Sequence, residues 1–188
     1  MNAPLDRRRA VRPPSAAPEE GAQVYLLPGE WWFGSRVRSV STLLGSCVAI
    51  TLWHPRWRLG GMCHFLLPKR HRPPNAPLDG RFGDEAVELL LQAAGTQGIR
   101  LPEFEVRLYG GAHMFAGNAS ATLDIGARNV AHGRALLRRH GLAPLTVEGG
   151  GYVHRTILLD FSTGAVHVRT GAASPATLDL GLSGRLER

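Results

Sequence analysis

The chain has 188 residues, 44% of them hydrophobic, enough for one domain with a buried core. Its net charge of +7 looks like a nucleic-acid signal but comes almost entirely from arginine, Lys69 being the one lysine, as genome composition alone would give; without zinc-finger spacing, an RNP-type run or a basic stripe interleaved with aromatics, no nucleic-acid partner is expected. The two cysteines give no disulfide framework, and neither an apolar run of about 20 residues nor a secretion-type start is present, so a cytoplasmic protein without membrane insertion is expected.

Residues 1–22, rich in Pro, Ala, Arg and Glu, are expected to form a disordered tail, followed by a domain over 23–172 and a C-terminal tail over 173–188. Order is expected from Val24-Tyr25-Leu26-Leu27 onward. The aromatic patch Trp31-Trp32-Phe33 reads as core or docking surface, and Val37 to Leu44 leads into an apolar strand over Cys47 to Trp53. A turn signal at His54-Pro55-Arg56 and a second apolar run from Leu59 to Leu67 make a hairpin the simplest reading. The polar, proline-rich loop from Lys69 to Arg81 is placed to act as a flap beside a site. A helix follows from Asp84 to Thr96, with Ala86, Leu89, Leu90 and Ala93 at helical spacing. Glu105 to Tyr109 reads as a strand ending in Gly110-Gly111, where two glycines signal a sharp turn or close backbone packing. The second helix, Ile125 to Gly141, carries Ala127, Val130, Ala131, Ala135, Leu136 and Leu137. Strands over 145–148, 156–161 and 165–169 complete the chain, the last two joined as a hairpin through Ser162-Thr163-Gly164. Strands and two main helices mix without a regular βαβ rhythm, so an α+β domain with mixed β-sheets is expected.

The hairpin carries the chemistry. Folded about Pro55 and Arg56, it sets Cys47 opposite His64, and directly opposed Cβ atoms lie ~4.5–5.5 Å apart. A thiol beside an imidazole is the start of a nucleophile and its base. Alternation along the strand turns Cys63 away from the face of His64, which makes Cys47 and Cys63 a poor disulfide pair and argues against a zinc site, as does the lack of any Cys-x-x-Cys spacing. Each residue alone also has a plainer reading: a cysteine in an apolar strand is commonly a small buried hydrophobe. His113 and Asn129 either line the site or satisfy a turn and a helix surface.

Five segments occur in order: Ser41-Thr42-Leu43-Leu44-Gly45-Ser46-Cys47-Val48, Gly61-Met62-Cys63-His64-Phe65-Leu66-Leu67-Pro68, Tyr109-Gly110-Gly111-Ala112-His113-Met114-Phe115, Ile125-Gly126-Ala127-Arg128-Asn129 and Glu148-Gly149-Gly150. Together they resemble the CheD chemoreceptor glutamine deamidases over about residues 24–170. The resemblance implies hydrolysis of glutamine side chains on methyl-accepting chemotaxis receptors to glutamate and ammonia, in a layered β/β/α sandwich similar to cytotoxic necrotizing factor-type cysteine hydrolases. It further implies Cys47 as nucleophile, His64 as base and a hydroxyl residue as third member. Ser41 and Thr42 both qualify for that role: strand parity keeps Ser41 on the Cys47 face, whereas a bulge favours Thr42. No cofactor is implied. Receptor cytoplasmic helices are the implied substrate and a CheC-type phosphatase the implied partner; a non-catalytic module that regulates chemotaxis by docking is the alternative.

In such an enzyme the imidazole takes the thiol proton and stabilises the thiolate as an ion pair, since a free thiol of pKa ~8.5 is mostly protonated at neutral pH. The backbone N–H groups around Gly45, Ser46 and Cys47 are candidate oxyanion donors, with His113 near the substrate. Arg155 is expected either to hold a carboxylate or a backbone carbonyl or to form a structural salt bridge.

Overall fold

The computed structural model describes residues 19–113 and 124–171. The tails expected over most of 1–22 and over 173–188 lie outside the described residues, as do Met114 and Phe115 of the third motif. Nine strands and two α-helices are present among the described residues: β1 (Ala22–Tyr25), β2 (Trp31–Gly34), β3 (Val37–Leu44), β4 (Val48–His54), β5 (Leu59–Phe65), α1 (Gly83–Gly95), β6 (Glu105–Gly110), α2 (Ile125–Arg139), β7 (Thr146–Gly149), β8 (His154–Asp160) and β9 (Val166–Gly171). The strands form two mixed sheets, one ordered β1-β3-β8-β9 and the other β2-β5-β4-β6-β7. This is the expected α+β class with mixed sheets and two helices.

Alternation along the central strands makes the layers. On one face of the five-stranded sheet Val48, Ile50, Leu52, Cys63 and Phe65 pack against Ala86, Val87, Leu90 and Leu91 of α1 and Leu136 and Leu137 of α2. On the other face Ala49, Trp53, Met62 and Tyr109 pack against Val40, Leu44, Ile157 and Leu159 of the four-stranded sheet. β4 and β5 are buried along their whole length because both faces are covered. Full burial of a large aliphatic or aromatic side chain contributes roughly 1.5–3 kcal/mol, so these two clusters supply most of the driving force for folding.

Several expectations change. Val37 to Leu44 does not run on into the Cys47 strand: it is β3, in the other sheet, antiparallel to β8 with Leu44 opposite Arg155. Glycine and polar residues at 45–47 let the chain cross from one sheet to the other. The β4–β5 hairpin turns through four residues, Pro55 to Arg58, with Arg58 at φ 46°, so its register lies two residues from the expected one and Ala49 sits opposite His64. A shift of two preserves facing, since side chains alternate with period two. The buried face of α2 is Gly126, Asn129, Gly133, Leu136 and Leu137, whereas Ala127, Ala131 and Ala135 are exposed. Helix and sheet approach so closely there that a Cβ on Gly133 would stand 2.8 Å from a Leu108 methyl, so small residues rather than apolar ones mark the inner face.

Candidate active site

One end of the sandwich collects the C-termini of β3, β5, β6 and β7 and the N-termini of β4, β8 and α2. The crossing segment Gly45-Ser46-Cys47 lies there. Its packing dictates the glycines of the third motif: a Cβ on Gly110 would strike the Cys47 carbonyl, and Gly111, at φ +65°, donates its N–H to that carbonyl at 2.7 Å. Cys47 is half-buried and packs on the inter-sheet cluster. No hydrogen bond joins its thiol to His64.

His64 projects into the same inter-sheet layer and is 1% exposed. There it meets Thr42 of the opposite sheet, with Nδ1 and Thr42 Oγ1 2.7 Å apart. The hydroxyl has a single proton and donates it to the Leu26 carbonyl at 2.7 Å. Oγ1 therefore accepts from Nδ1–H, which assigns the tautomer and leaves Nε2 with a free lone pair. Nε2 is buried and has no hydrogen-bond partner among the described residues. Ser41, one position earlier in β3, turns to the other face and makes only a 3.5 Å contact from its hydroxyl to the Val24 carbonyl. The parity that pointed to Ser41 assumes an unbroken strand from 41 to 47, and the strand ends at Leu44. Thr42 is the hydroxyl that reaches the imidazole.

Burial sets the charge states. It pushes His64 down to about 4, with the Leu26 carbonyl opposing part of the fall. The Cys47 thiol moves up for the same reason, its own backbone N–H opposing part of the rise. The inter-sheet layer thus disfavours both charged forms and favours a neutral thiol and a neutral base over a pre-formed thiolate–imidazolium pair. Cys63 is fully buried on the helix side and pushed up to about 12. Iodoacetamide is therefore expected to alkylate Cys47 alone in the folded protein, faster with rising pH through the alkaline range, because only the thiolate reacts. Peptide mapping after labelling checks this; equal labelling of Cys63 would contradict the burial that separates them.

Around the thiol, three successive carbonyls are tied down. Gly45 O accepts from Ala112 N at 2.8 Å and Cys47 O from Gly111 N. Ser46 O accepts from Asn129 Nδ2 at 2.9 Å. The amides of Ser46 and Cys47 donate to no backbone carbonyl of another described residue. His113 stands at the rim, about one-third exposed, its Nδ1 3.0 Å from Asp124 Oδ2 and its ring edge-on to Tyr152. Arg155 bonds both a carboxylate and a backbone carbonyl: Nε to Glu148 Oε1 at 3.3 Å and Nη2 to Gly150 O at 2.6 Å. The loop expected to be a flap is pinned: Arg70 forks onto the buried Glu85 at 2.7 and 2.9 Å, and Glu85 also accepts from Asp79 N. No cluster of His, Cys, Asp and Glu able to hold a metal occurs among the described residues, and no helix there is long and apolar enough to cross a membrane.

A family model for CheD chemotactic sensory transduction matches residues 66–170, beginning just after His64. A protein of Dechloromonas aromatica named "Probable chemoreceptor glutamine deamidase CheD 3" is 52% identical over 152 residues, covering 81% of this chain and 89% of its own length. The chain belongs to the CheD family. Other CheD relatives named as chemoreceptor glutamine deamidases include one from Chromobacterium violaceum, 43% identical over 84% of this chain and 83% of its own length. A more distant CheD protein, from Methanococcus maripaludis, is 36% identical over 77% of this chain and 92% of its own. Nothing in the sequence pointed to one part of this CheD site, the Leu26 carbonyl behind Thr42, whereas Asn129, which was expected either to line the site or to satisfy a helix surface, bonds the backbone of the Cys47 segment. A backbone carbonyl has no side-chain signal, while Asn129 stands in sequence as a polar residue between Gly126 and Gly133 on one helical face.

Proposed function

We propose that the chain is a protein-glutamine glutaminase that deamidates glutamine side chains on the cytoplasmic helices of methyl-accepting chemotaxis receptors, working in the cytoplasm. The observation that carries this reading is the Thr42–His64 bond, which presents an unpaired Nε2 in the layer on which Cys47 packs, in a chain whose relatives bear deamidase names. The β/β/α layering and the Cys-His-hydroxyl set support the likeness to cytotoxic necrotizing factor-type hydrolases.

Cys47 Sγ attacks the amide carbon while its proton passes to His64 Nε2, and the carbonyl electron pair moves onto oxygen. That oxyanion meets the outward amides of Ser46 and Cys47, each such donor contributing on the order of 10²–10³ in rate. His64 returns the proton to nitrogen, the C–N bond breaks and ammonia leaves a thioester. Water then adds with His64 as base, the C–S bond breaks and the proton returns to sulfur, giving glutamate. Only water is consumed, so the cycle calls for no cofactor. His113 and Tyr152 line the rim where a receptor helix would lie.

Because burial holds His64 at about 4, kcat/KM is expected to persist well below pH 6.5 and fall only as His64 takes up a proton near that lower value. Stability shares the window. The folded pKa is depressed, so the unfolded chain binds the extra proton; this contribution is complete above the unfolded value of ~6.5 and is lost as pH falls toward 4, an effect of roughly 3 kcal/mol. Denaturant unfolding at stepped pH, wild type against His64→Gln, checks it. An identical pH dependence in the two proteins would count against a buried neutral His64.

Mass spectrometry of receptor cytoplasmic fragments tests the function directly, the amide-to-acid mass gain appearing with wild type and not with Cys47→Ala. The docking alternative, including binding to a CheC-type phosphatase, predicts partner binding untouched by that substitution and no change at glutamine with either protein.

A further inference from the structure

Resting on the glutaminase reading, we infer that Asn129 is a positioning residue whose side-chain amide orients the Cys47 backbone N–H as an oxyanion donor. Asn129 is fully buried on the inner face of α2, yet polar. Its Nδ2 donates both protons, to Ser46 O at 2.9 Å and to Leu66 O at 2.7 Å. One amide group thus joins the carbonyl just before the nucleophile to the carbonyl two residues past the base. No cis peptide bond occurs among the described residues, and in a trans peptide the C=O and the following N–H point in opposite directions. Drawing Ser46 O inward toward the buried Asn129 therefore turns the Cys47 N–H outward, on the side of the half-exposed thiol. Ala112 N acts the same way on Gly45 O and so turns out the Ser46 N–H. Of the two restraints only the one from Asn129 comes from a side chain, so it can be removed without altering the backbone donors.

A purely structural role would weaken folding without distinguishing one reaction of Cys47 from another. Acylation by p-nitrophenyl acetate passes through an oxyanion, whereas alkylation by iodoacetamide does not. Both depend on the same thiol. In Asn129→Leu, which has similar bulk and no donors, acylation is expected to fall about 10- to 10³-fold, while alkylation stays within about threefold of wild type because the thiolate fraction is unchanged. Asn129→Asp serves as the second variant. As a carboxylate it donates nothing and as a carboxylic acid it donates one proton, so its ratio of acylation to alkylation rises as pH is lowered, whereas the wild-type ratio, in which the shared thiolate dependence cancels, stays level. Protection of Cys63 from label reports that each variant is folded. Equal losses in both reactions, or an unaltered ratio in both variants, would overturn the assignment. Wild type inactive on receptor glutamines but showing this pattern would remove the glutaminase reading and leave the role of Asn129 intact.

Discussion

Cys47→Ala is expected to leave a folded protein whose glutamine deamidation is lower by at least ~10⁴-fold, the loss typical of deleting one member of a nucleophile–base pair. The fold tolerates the change because Cys47 is half-buried, lies outside the strands and loses only a sulfur from the edge of the inter-sheet cluster. Its carbonyl, bound by Gly111 N, is untouched. Serine is not expected to rescue activity: a hydroxyl is far less acidic than a thiol, and a base held near 4 by burial is too weak to deprotonate it. Receptor-fragment binding should persist in both variants, since the Cβ and the surrounding backbone remain. Deamidation at wild-type rate by Cys47→Ala would end the assignment of Cys47, and loss of binding together with activity would make the segment a docking element.

The periodic parts of this fold were legible in sequence and the crossings were not. Both helices, the β4–β5 hairpin and the β8–β9 hairpin follow from apolar spacing and turn residues, because those signals are local. The partner of β3 is not local: it pairs with β8, more than a hundred residues on, and β-branched residues suit either sheet. The hairpin register moved because Arg58 adopts a left-handed conformation that an arginine seldom signals. Alternation survived that shift, which is why Cys63 and His64 still part to opposite faces. For α2 the apolar pattern pointed to an alanine face, and close packing on β6 selected glycine and asparagine instead. The charge states depend on burial between two sheets, a tertiary property: it raises the Cys47 thiol and lowers His64, and no local pattern in the sequence reports it.

The choice between Ser41 and Thr42 gives the second large effect. Thr42→Val keeps the shape and β-branching of the side chain, so the inter-sheet packing of β3 is conserved. The substitution removes the acceptor for His64 Nδ1–H and the donor to Leu26 O, and each buried group left unpaired costs about 1–3 kcal/mol. More important is the proton's place on the ring. With Oγ1 gone the imidazole is free to rotate or to carry its proton on Nε2, the nitrogen that must accept from Cys47. Loss of the orienting partner of a catalytic histidine typically lowers kcat by up to ~10⁴, and a fall on the order of 10²–10⁴ is expected here. Thr42→Ser, which retains the hydroxyl, should recover most of the rate, whereas Ser41→Ala should stay near wild type because that side chain turns away from His64. KM should change little across the series, since Thr42 is fully buried and makes its bonds within the protein. Kinetics of the three variants, with ¹⁵N spectra of His64 to read the tautomer, decide the matter. A Thr42→Val enzyme with undiminished kcat, or a Ser41→Ala enzyme as impaired as Thr42→Val, would show that the bond across the sheets does not orient the base.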